Sequence, residues 1–376
     1  MPSPRTGCPS LPGKREISCH AERPPNATLI LPAPKTKYMK PPVATKIVLA
    51  LLTLLACLPL GVLYVLADVL YLIIYYVARY RRALVRRNLA DCFPDRDEAW
   101  RRRVERRFYH NFADQFVETI KLLHISDREI SRRITFDGLD YLQECTDSGR
   151  DVVLYFAHCF NWEWAPSMTL HMRSQMSGTT ANEAAKGDKS EASASSAYSM
   201  TETGNHTSDV AFCQVYRPLR SAVADQVMLR IRSRFGSRSF SKASVLRDLI
   251  LLRREGLRSV TGFMSDQKPS HNDPTVALAF LGRPTAFISG TETLARKLGM
   301  AVAYWDMERT GRGHYRLTCR PIEVPADAPF GRITCVYARM LEETILRDPA
   351  IWLWTHNRWK NPIPDNAIRP TDNSLI

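Results

Sequence analysis

Between Lys46 and Arg79 the chain runs through residues 47–78 without a Lys or Arg and with one acid, Asp68. That length exceeds the roughly 20 apolar residues needed to cross a bilayer, so the run must be placed in lipid or buried in protein. It is too long for the apolar part of a signal peptide and lacks a small-residue cleavage site before the folded part, which makes it a retained anchor. Pro59 and Gly61 interrupt it. Three arrangements accommodate the break: one kinked spanning helix, a spanning helix followed by an interfacial one over 60–80, or a buried core helix. Arg79, Arg81, Arg82, Arg86 and Arg87 come next, a cluster that the positive-inside rule keeps on the cytoplasmic side, against Lys35, Lys37, Lys40 and Lys46 on the other flank.

Composition narrows the classes further. Hydrophobic residues at 45% and charged residues at 24% are ordinary for a globular protein, which excludes a wholly disordered chain and a many-pass transporter. Lys+Arg 52 against Asp+Glu 38 leaves +14, pointing to an anionic partner: nucleic acid, an acidic membrane surface, a phosphorylated substrate or an acidic carrier protein. No recognised nucleic-acid module accompanies the apolar run, so no nucleic-acid partner is expected. The nine cysteines are scattered, odd in number and without C-x-x-C, as expected of free thiols in a reducing compartment.

The expected division is 1–38 as a Pro-rich disordered tail or a mis-assigned start, 39–80 as the membrane anchor, 81–365 as the folded domain and 366–376 as a tail. Over 97–123, Trp100, Val104, Phe108, Phe112, Phe116, Val117, Ile120 and Leu123 recur at helical spacing, with Arg101, Arg102, Arg106 and Arg107 outside. Short apolar runs then alternate with helical stretches. Runs at 152–156, 210–215, 259–264, 276–281 and 285–288 read as strands, 139–145 and 291–298 as helices, and 301–308 with 315–319 as a hairpin around Gly311-Arg312-Gly313. Strand, crossover, strand repeated in this way predicts an α/β fold, a three-layer α/β/α sandwich with a mixed sheet. Residues 174–208 contain no Ile, Leu, Val, Phe or Trp and are expected to be a disordered surface insertion, dispensable for the core.

The chemistry-bearing residues stand at strand ends. His158 follows the 152–156 run, where an open α/β sheet presents ligand-facing residues. Asn161 can cap the next helical turn, and Glu163, five residues on, can fold its carboxylate back to the imidazole. That contact would fix the tautomer and favour the imidazolium formed when His158 takes a proton from a hydroxyl nucleophile, a base and its orienter without a protein nucleophile. The plainer alternative is a structural histidine satisfied by a nearby acid. No metal site is expected, since there is neither H-E-x-x-H nor a Cys/His set of ligand spacing. Cys159 beside His158 is a second nucleophile candidate, though neighbouring side chains project apart. No P-loop or dinucleotide glycine fingerprint is present.

The segment Ala157-His158 to Trp164, an H-x4-E motif in the form H-x-x-N-W-E, resembles the catalytic motif of the bacterial lipid A biosynthesis (lauroyl/myristoyl) acyltransferases, a branch of the lysophospholipid acyltransferase superfamily. Further blocks resemble that family in order: Val215-Tyr216-Arg217-Pro218-Leu219, Ser265-Asp266-Gln267, Phe280-Leu281-Gly282 with Gly290 and Leu294-Ala295, and the Trp352 to Trp359 stretch. The similarity spans about 39–360; the 174–208 insertion departs from the family's usual spacing. It implies a glycerolipid acyltransferase-like sandwich that moves an acyl chain from acyl carrier protein to a hydroxyl of a lipid A precursor. The place implied is the cytoplasmic face of the inner membrane, among its phospholipids, with acyl-acyl carrier protein as co-substrate and no other cofactor. His158 would then be the base and Glu163 its orienter. Arg217 would bind a lipid phosphate or the thioester oxyanion, Asn161 would lie on the substrate side, and Asp266 and Gln267 would shape the pocket wall. The rivals are the same chemistry on another acceptor (lysophospholipid, amino-acid lipid or glycolipid) and a non-catalytic basic membrane-anchored binding protein. Two further features fit either way. Residues 224–235 put Val227, Met228, Ile231 and Phe235 on one helix side and Arg230, Arg232 and Arg234 elsewhere, suited to an acidic carrier or headgroup; Trp352, Trp354 and Trp359 serve as packing or as interfacial anchors.

Overall fold

The computed structural model describes residues 43–172 and 210–370. The expectations for 1–38 and 174–208 lie outside them. Seven strands form the central sheet: β1 (Ile134–Asp137), β2 (Val152–Phe156), β3 (Val210–Tyr216), β4 (Arg238–Ser241), β5 (Arg258–Met264), β8 (Ala301–Gly311) and β9 (His314–Pro321). Their order is β1-β9-β8-β2-β5-β3-β4, parallel throughout except for the β8–β9 hairpin. The mixed α/β sheet is therefore as expected. Its middle strands read as unbroken apolar runs because they are covered on both faces, and β2 is buried from Val152 to Tyr155. The edge strands β1 and β4 were not legible in the sequence: each is four residues long and mostly unburied, with no apolar run to mark it.

The runs at 276–281 and 285–288 form strands but do not extend this sheet. They pair with each other as β6 (Thr275–Phe280) and β7 (Arg283–Ile288), closed by Leu281-Gly282, both at positive φ, as a type I′ two-residue hairpin turn requires. Ile368 hydrogen-bonds across to Thr275 and Ala277 beside β6, so the structured chain continues past 365.

The apolar run is two helices, α1 (Val43–Ala56) and α2 (Leu60–Leu72), separated at Pro59, with α2 continuing as a π-helical turn over Ile73–Val77. Leu60–Val77 is long and apolar enough by length and composition to cross a membrane, and 22% of it is buried. That fraction is one face. Leu60, Leu63 and Ala67 pack against α4 (Glu98–Lys121), while Val62, Val65, Val69, Ile73 and Val77 stand exposed, continuous in character with Ile47, Leu51 and Leu54 of α1. So α2 buries one narrow face in protein and leaves a wider apolar surface exposed.

The helix expected over 97–123 is α4, capped by Asp97, whose carboxylate accepts from Trp100 N–H at 2.6 Å. Its buried side carries a line of charged residues as well as apolar ones, each of the charged ones held by a partner from another part of the chain. Glu105 pairs with Arg82 and Arg86 of α3 (Arg82–Cys92). Asp114 pairs with Arg309 and Arg312 from the β8–β9 hairpin. Arg312 also reaches Asp68 of α2 at 2.6 Å, so the acid inside the apolar run is neutralised by protein. Gly313 at the hairpin tip has φ +68, and a Cβ there would lie 1.9 Å from the Tyr64 hydroxyl oxygen; only glycine lets the turn seat on α2. Lys121 ends the line: buried, it donates to the carbonyls of Ala56 at 3.0 Å and Leu58 at 2.9 Å, capping α1 at the Pro59 break. Beyond α4, helices α5 (Asp127–Arg133) and α6 (Leu139–Asp147) lead into β1 and β2 respectively.

Lys121→Met preserves length and apolar contact but strands those two carbonyls. The expected cost is about 1–3 kcal/mol, measured as a lower urea midpoint with unchanged slope. A wild-type midpoint would show that water substitutes for the ammonium.

Candidate active site

Strands β2 and β5 are parallel neighbours in a register that sets Phe156 against Met264. Two residues beyond each strand end stand His158 and Asp266, and the equal offset brings them together. His158 Nδ1 lies 2.7 Å from Asp266 Oδ1, and the His158 backbone N–H donates to Asp266 Oδ2 at 3.0 Å. A third donor, Trp352 Nε1, reaches Oδ2 at 2.9 Å. Burial alone would raise the Asp266 pKa, but the His158 charge and these hydrogen bonds outweigh it and lower it to about 2. With Asp266 ionised, Nδ1 carries the imidazole proton and Nε2 is left as the acceptor; the Gln267 amide nitrogen stands 3.1 Å from it.

The expected contact between His158 and Glu163 is not made. Residues Trp162–Ser167 form a 3-10 turn rather than an α-helix, and its first turn carries Glu163 toward α7 (Ala222–Arg232). There Glu163 accepts from Arg232 Nε at 2.9 Å and Nη2 at 2.6 Å, and from Trp162 Nε1 at 3.0 Å. Arg232 is thus turned inward, not outward for a carrier or headgroup. Arg234, though exposed, is also engaged, with Asp127 and the Ile125 carbonyl, and Arg230 is exposed as well. Asn161 does cap the turn, accepting from Glu163 N–H at 3.3 Å. Its amide donates to Glu118 Oε2 at 3.1 Å, and it is fully buried, so it supports the loop without facing substrate. Cys159 is buried as well, and burial pushes its thiol well above the ordinary range, away from nucleophilic use.

His158, Gln267, Glu163, Arg232 and the exposed Arg217 all line one cavity of about 530 Å³, whose other walls include Phe156, Phe212, Met168 and Leu294. Arg217 follows β3 directly, so the carboxyl ends of three adjacent parallel strands, β2, β5 and β3, frame it.

Three supporting residues were not singled out for the site from sequence. Trp352 and Trp354 are buried packing residues, as one of the two sequence alternatives had it, but Trp352 also holds Asp266. His356, whose pKa burial pushes down to about 4, stays neutral and accepts the Lys268 N–H at 3.1 Å, fixing the loop that carries Asp266 and Gln267. Glu118 of α4 is fully buried, and burial raises its pKa; it accepts from Tyr64, Asn161 and Tyr315. Spacing could not reveal these contacts, which join distant segments.

The model of the family described as bacterial lipid A biosynthesis acyltransferase matches residues 32–187 and 204–361. The chain belongs to this family. It is 23% identical over 322 residues to the lipid A biosynthesis lauroyltransferase of Escherichia coli K12, covering 81% of this chain and 91% of that protein. It is 21% identical over 294 residues to the lipid A biosynthesis palmitoleoyltransferase of the same organism, covering 77% and 82%. A lipid A biosynthesis acyltransferase of Shigella flexneri matches to the same extent. In this member of an acyltransferase family, the His158 imidazole, paired with Asp266, stands on a large cavity with mostly apolar walls.

Because the Asp266 pKa is depressed from 3.8, its stabilising contribution, about 2 kcal/mol, is complete above pH 4 and lost as pH falls toward 2. Asp266→Asn keeps the shape but no longer fixes the Nδ1–H tautomer or stabilises the imidazolium. Turnover at neutral pH should fall by about 10²–10⁴-fold with the fold retained, read by circular dichroism beside an acyl-transfer assay.

Proposed function

We propose that this chain transfers a fatty acyl group from acyl carrier protein to a hydroxyl of a lipid A precursor, at the cytoplasmic face of the inner membrane. The observation that carries the reading is the His158–Asp266 pair opening on an apolar-walled cavity in a chain of this family. The acceptor hydroxyl donates to His158 Nε2. As its oxygen adds to the thioester carbonyl carbon, Nε2 takes the proton and the ionised Asp266 stabilises the resulting imidazolium. The tetrahedral intermediate collapses with loss of the thiolate, which recovers the proton from His158. No protein nucleophile and no cofactor beyond the acyl carrier co-substrate enters this balance. Gln267, in contact with Nε2, holds the ring until the hydroxyl replaces it.

Membrane attachment in this reading comes from the outward face of α1 and α2, with phospholipid tails covering Ile47, Leu51, Leu54, Val65, Val69 and Val77. Arg79 and Arg87, exposed where that face ends, stand at the lipid headgroups.

His158→Ala should remain folded and membrane-associated with transfer reduced about 10²–10⁴-fold, measured with labelled acyl-acyl carrier protein and a lipid A precursor. Wild-type turnover would remove His158 from the mechanism. In cells lacking the gene, mass spectrometry should find lipid A short of one acyl chain; unaltered lipid A with another lipid under-acylated would move the reaction to that acceptor.

A further inference from the structure

Glu163 and Arg232 meet inside the cavity wall, and both side chains are largely withdrawn from water, 6% and 19% exposed. Two opposite charges placed among apolar groups lose hydration that their attraction only partly returns, so such a pair is a weak brace for a fold. What a bidentate fork does secure is direction. With Nε and Nη2 both on the Glu163 carboxylate, the planar guanidinium is held rigidly and its Nη1 edge is directed away from that carboxylate. Trp162 extends the arrangement toward the base. Its Nε1 donates to the same Glu163 oxygen, and its ring meets the His158 imidazole edge-on with centroids 5.0 Å apart. Imidazole, indole, carboxylate and guanidinium thus form one connected row beside the cavity.

We infer that Arg232 is an anion-binding group of this site and that Glu163 acts by aiming Arg232, not by orienting His158. The ligand is an anionic oxygen of the substrate. Two sources offer that chemistry: the oxyanion formed on the thioester carbonyl as the hydroxyl adds, and a phosphate oxygen of the acceptor. Of the two arginines on the cavity, Arg217 is exposed and lies on a loop, whereas Arg232 is held by a two-point ion pair. The inference rests on the acyl-transfer reading above.

The test is steady-state kinetics on the full chain, with acyl-acyl carrier protein and a lipid A precursor, for Arg232→Met, Arg232→Lys, Glu163→Gln and the double variant Glu163→Gln/Arg232→Met. Melting temperatures report folding. Arg232→Met should lower kcat/KM about 10²–10³-fold, and Arg232→Lys, which keeps the charge but not the fork, should recover part of it. Glu163→Gln should cost less, and its cost should vanish once Arg232 is Met. The acid limb of its pH profile should stay where wild type has it, whereas a group acting through His158 would move that limb. A fall in kcat at constant KM assigns the oxyanion. A raised acceptor KM that disappears with a dephosphorylated acceptor assigns the phosphate.

The inference is overturned if Arg232→Met turns over within about twofold of wild type, or if Glu163→Gln shifts the acid limb. Should Arg232→Met fail to fold, Arg232→Lys at wild-type melting temperature decides: full activity with unchanged KM rejects the aimed fork, and loss supports it. Wild-type transfer lost in His158→Ala but indifferent to Arg232 rejects this inference alone. A wild type that transfers no acyl group rejects the underlying reading and this inference with it.

Discussion

The parallel pairing of β2 with β5 sets the position of nearly everything that matters in this molecule. Because Phe156 lies opposite Met264, residues at equal offsets past the two strand ends become neighbours, and the chain puts His158 on one and Asp266 on the other. A slip of one residue would separate imidazole from carboxylate and turn both strands' side chains over. The register is protected because β2 and β5 are buried on both faces, so a slipped strand would have to bury a different set of side chains everywhere at once. Gly262 fits the same constraint: a Cβ there would come within 2.6 Å of the Phe156 ring, so the glycine leaves room for a wall of the cavity.

Around that pair, support comes from far along the chain. Trp352 holds Asp266 and His356 holds the next turn, and both belong to a segment that Asn88 of α3 fastens through the carbonyls of Trp354 and His356. On the other side, the buried Glu118 ties Asn161 of the turn after β2 to Tyr64 of α2 and to Tyr315 of β9. The polar line along α4 is therefore the mechanical link between the apolar helices and the turn that carries His158. Its buried carboxylates and Lys121 are each satisfied by a partner from another element, which fixes one relative placement of those elements.

Much of this was legible in the sequence, for a physical reason. Strands buried on both faces must be short, apolar and bounded, so 152–156, 210–215 and 259–264 announced themselves, and ligand-facing residues at their ends followed from the fold class. His158 was found that way, while Arg217, Asp266 and Gln267 came from the family resemblance, and all but the buried Asp266 line the cavity. Their pairing was not legible. A histidine and a glutamate five apart invite a local contact, but the partner of His158 lies 108 residues away, and only the β2–β5 register reveals it. Arg232 looked like one more residue of a polar helix face because nothing local marks a guanidinium that turns inward to a carboxylate 69 residues earlier. The edge strands β1 and β4 escaped because they bury too little to carry a pattern.

The contact between Arg312 and Asp68 joins residues 244 apart. During synthesis α1 and α2 emerge early, whereas the β8–β9 turn that seats on Tyr64 and neutralises Asp68 is made near the end. For most of translation α2 has neither of those partners, and both of its faces are sticky to other unfinished chains. The nascent protein must spend that interval with these helices shielded, on a lipid surface or by a chaperone. The order of assembly is then apolar helices first, closed sheet second, with the C-terminal half closing onto a helix that has been waiting for it.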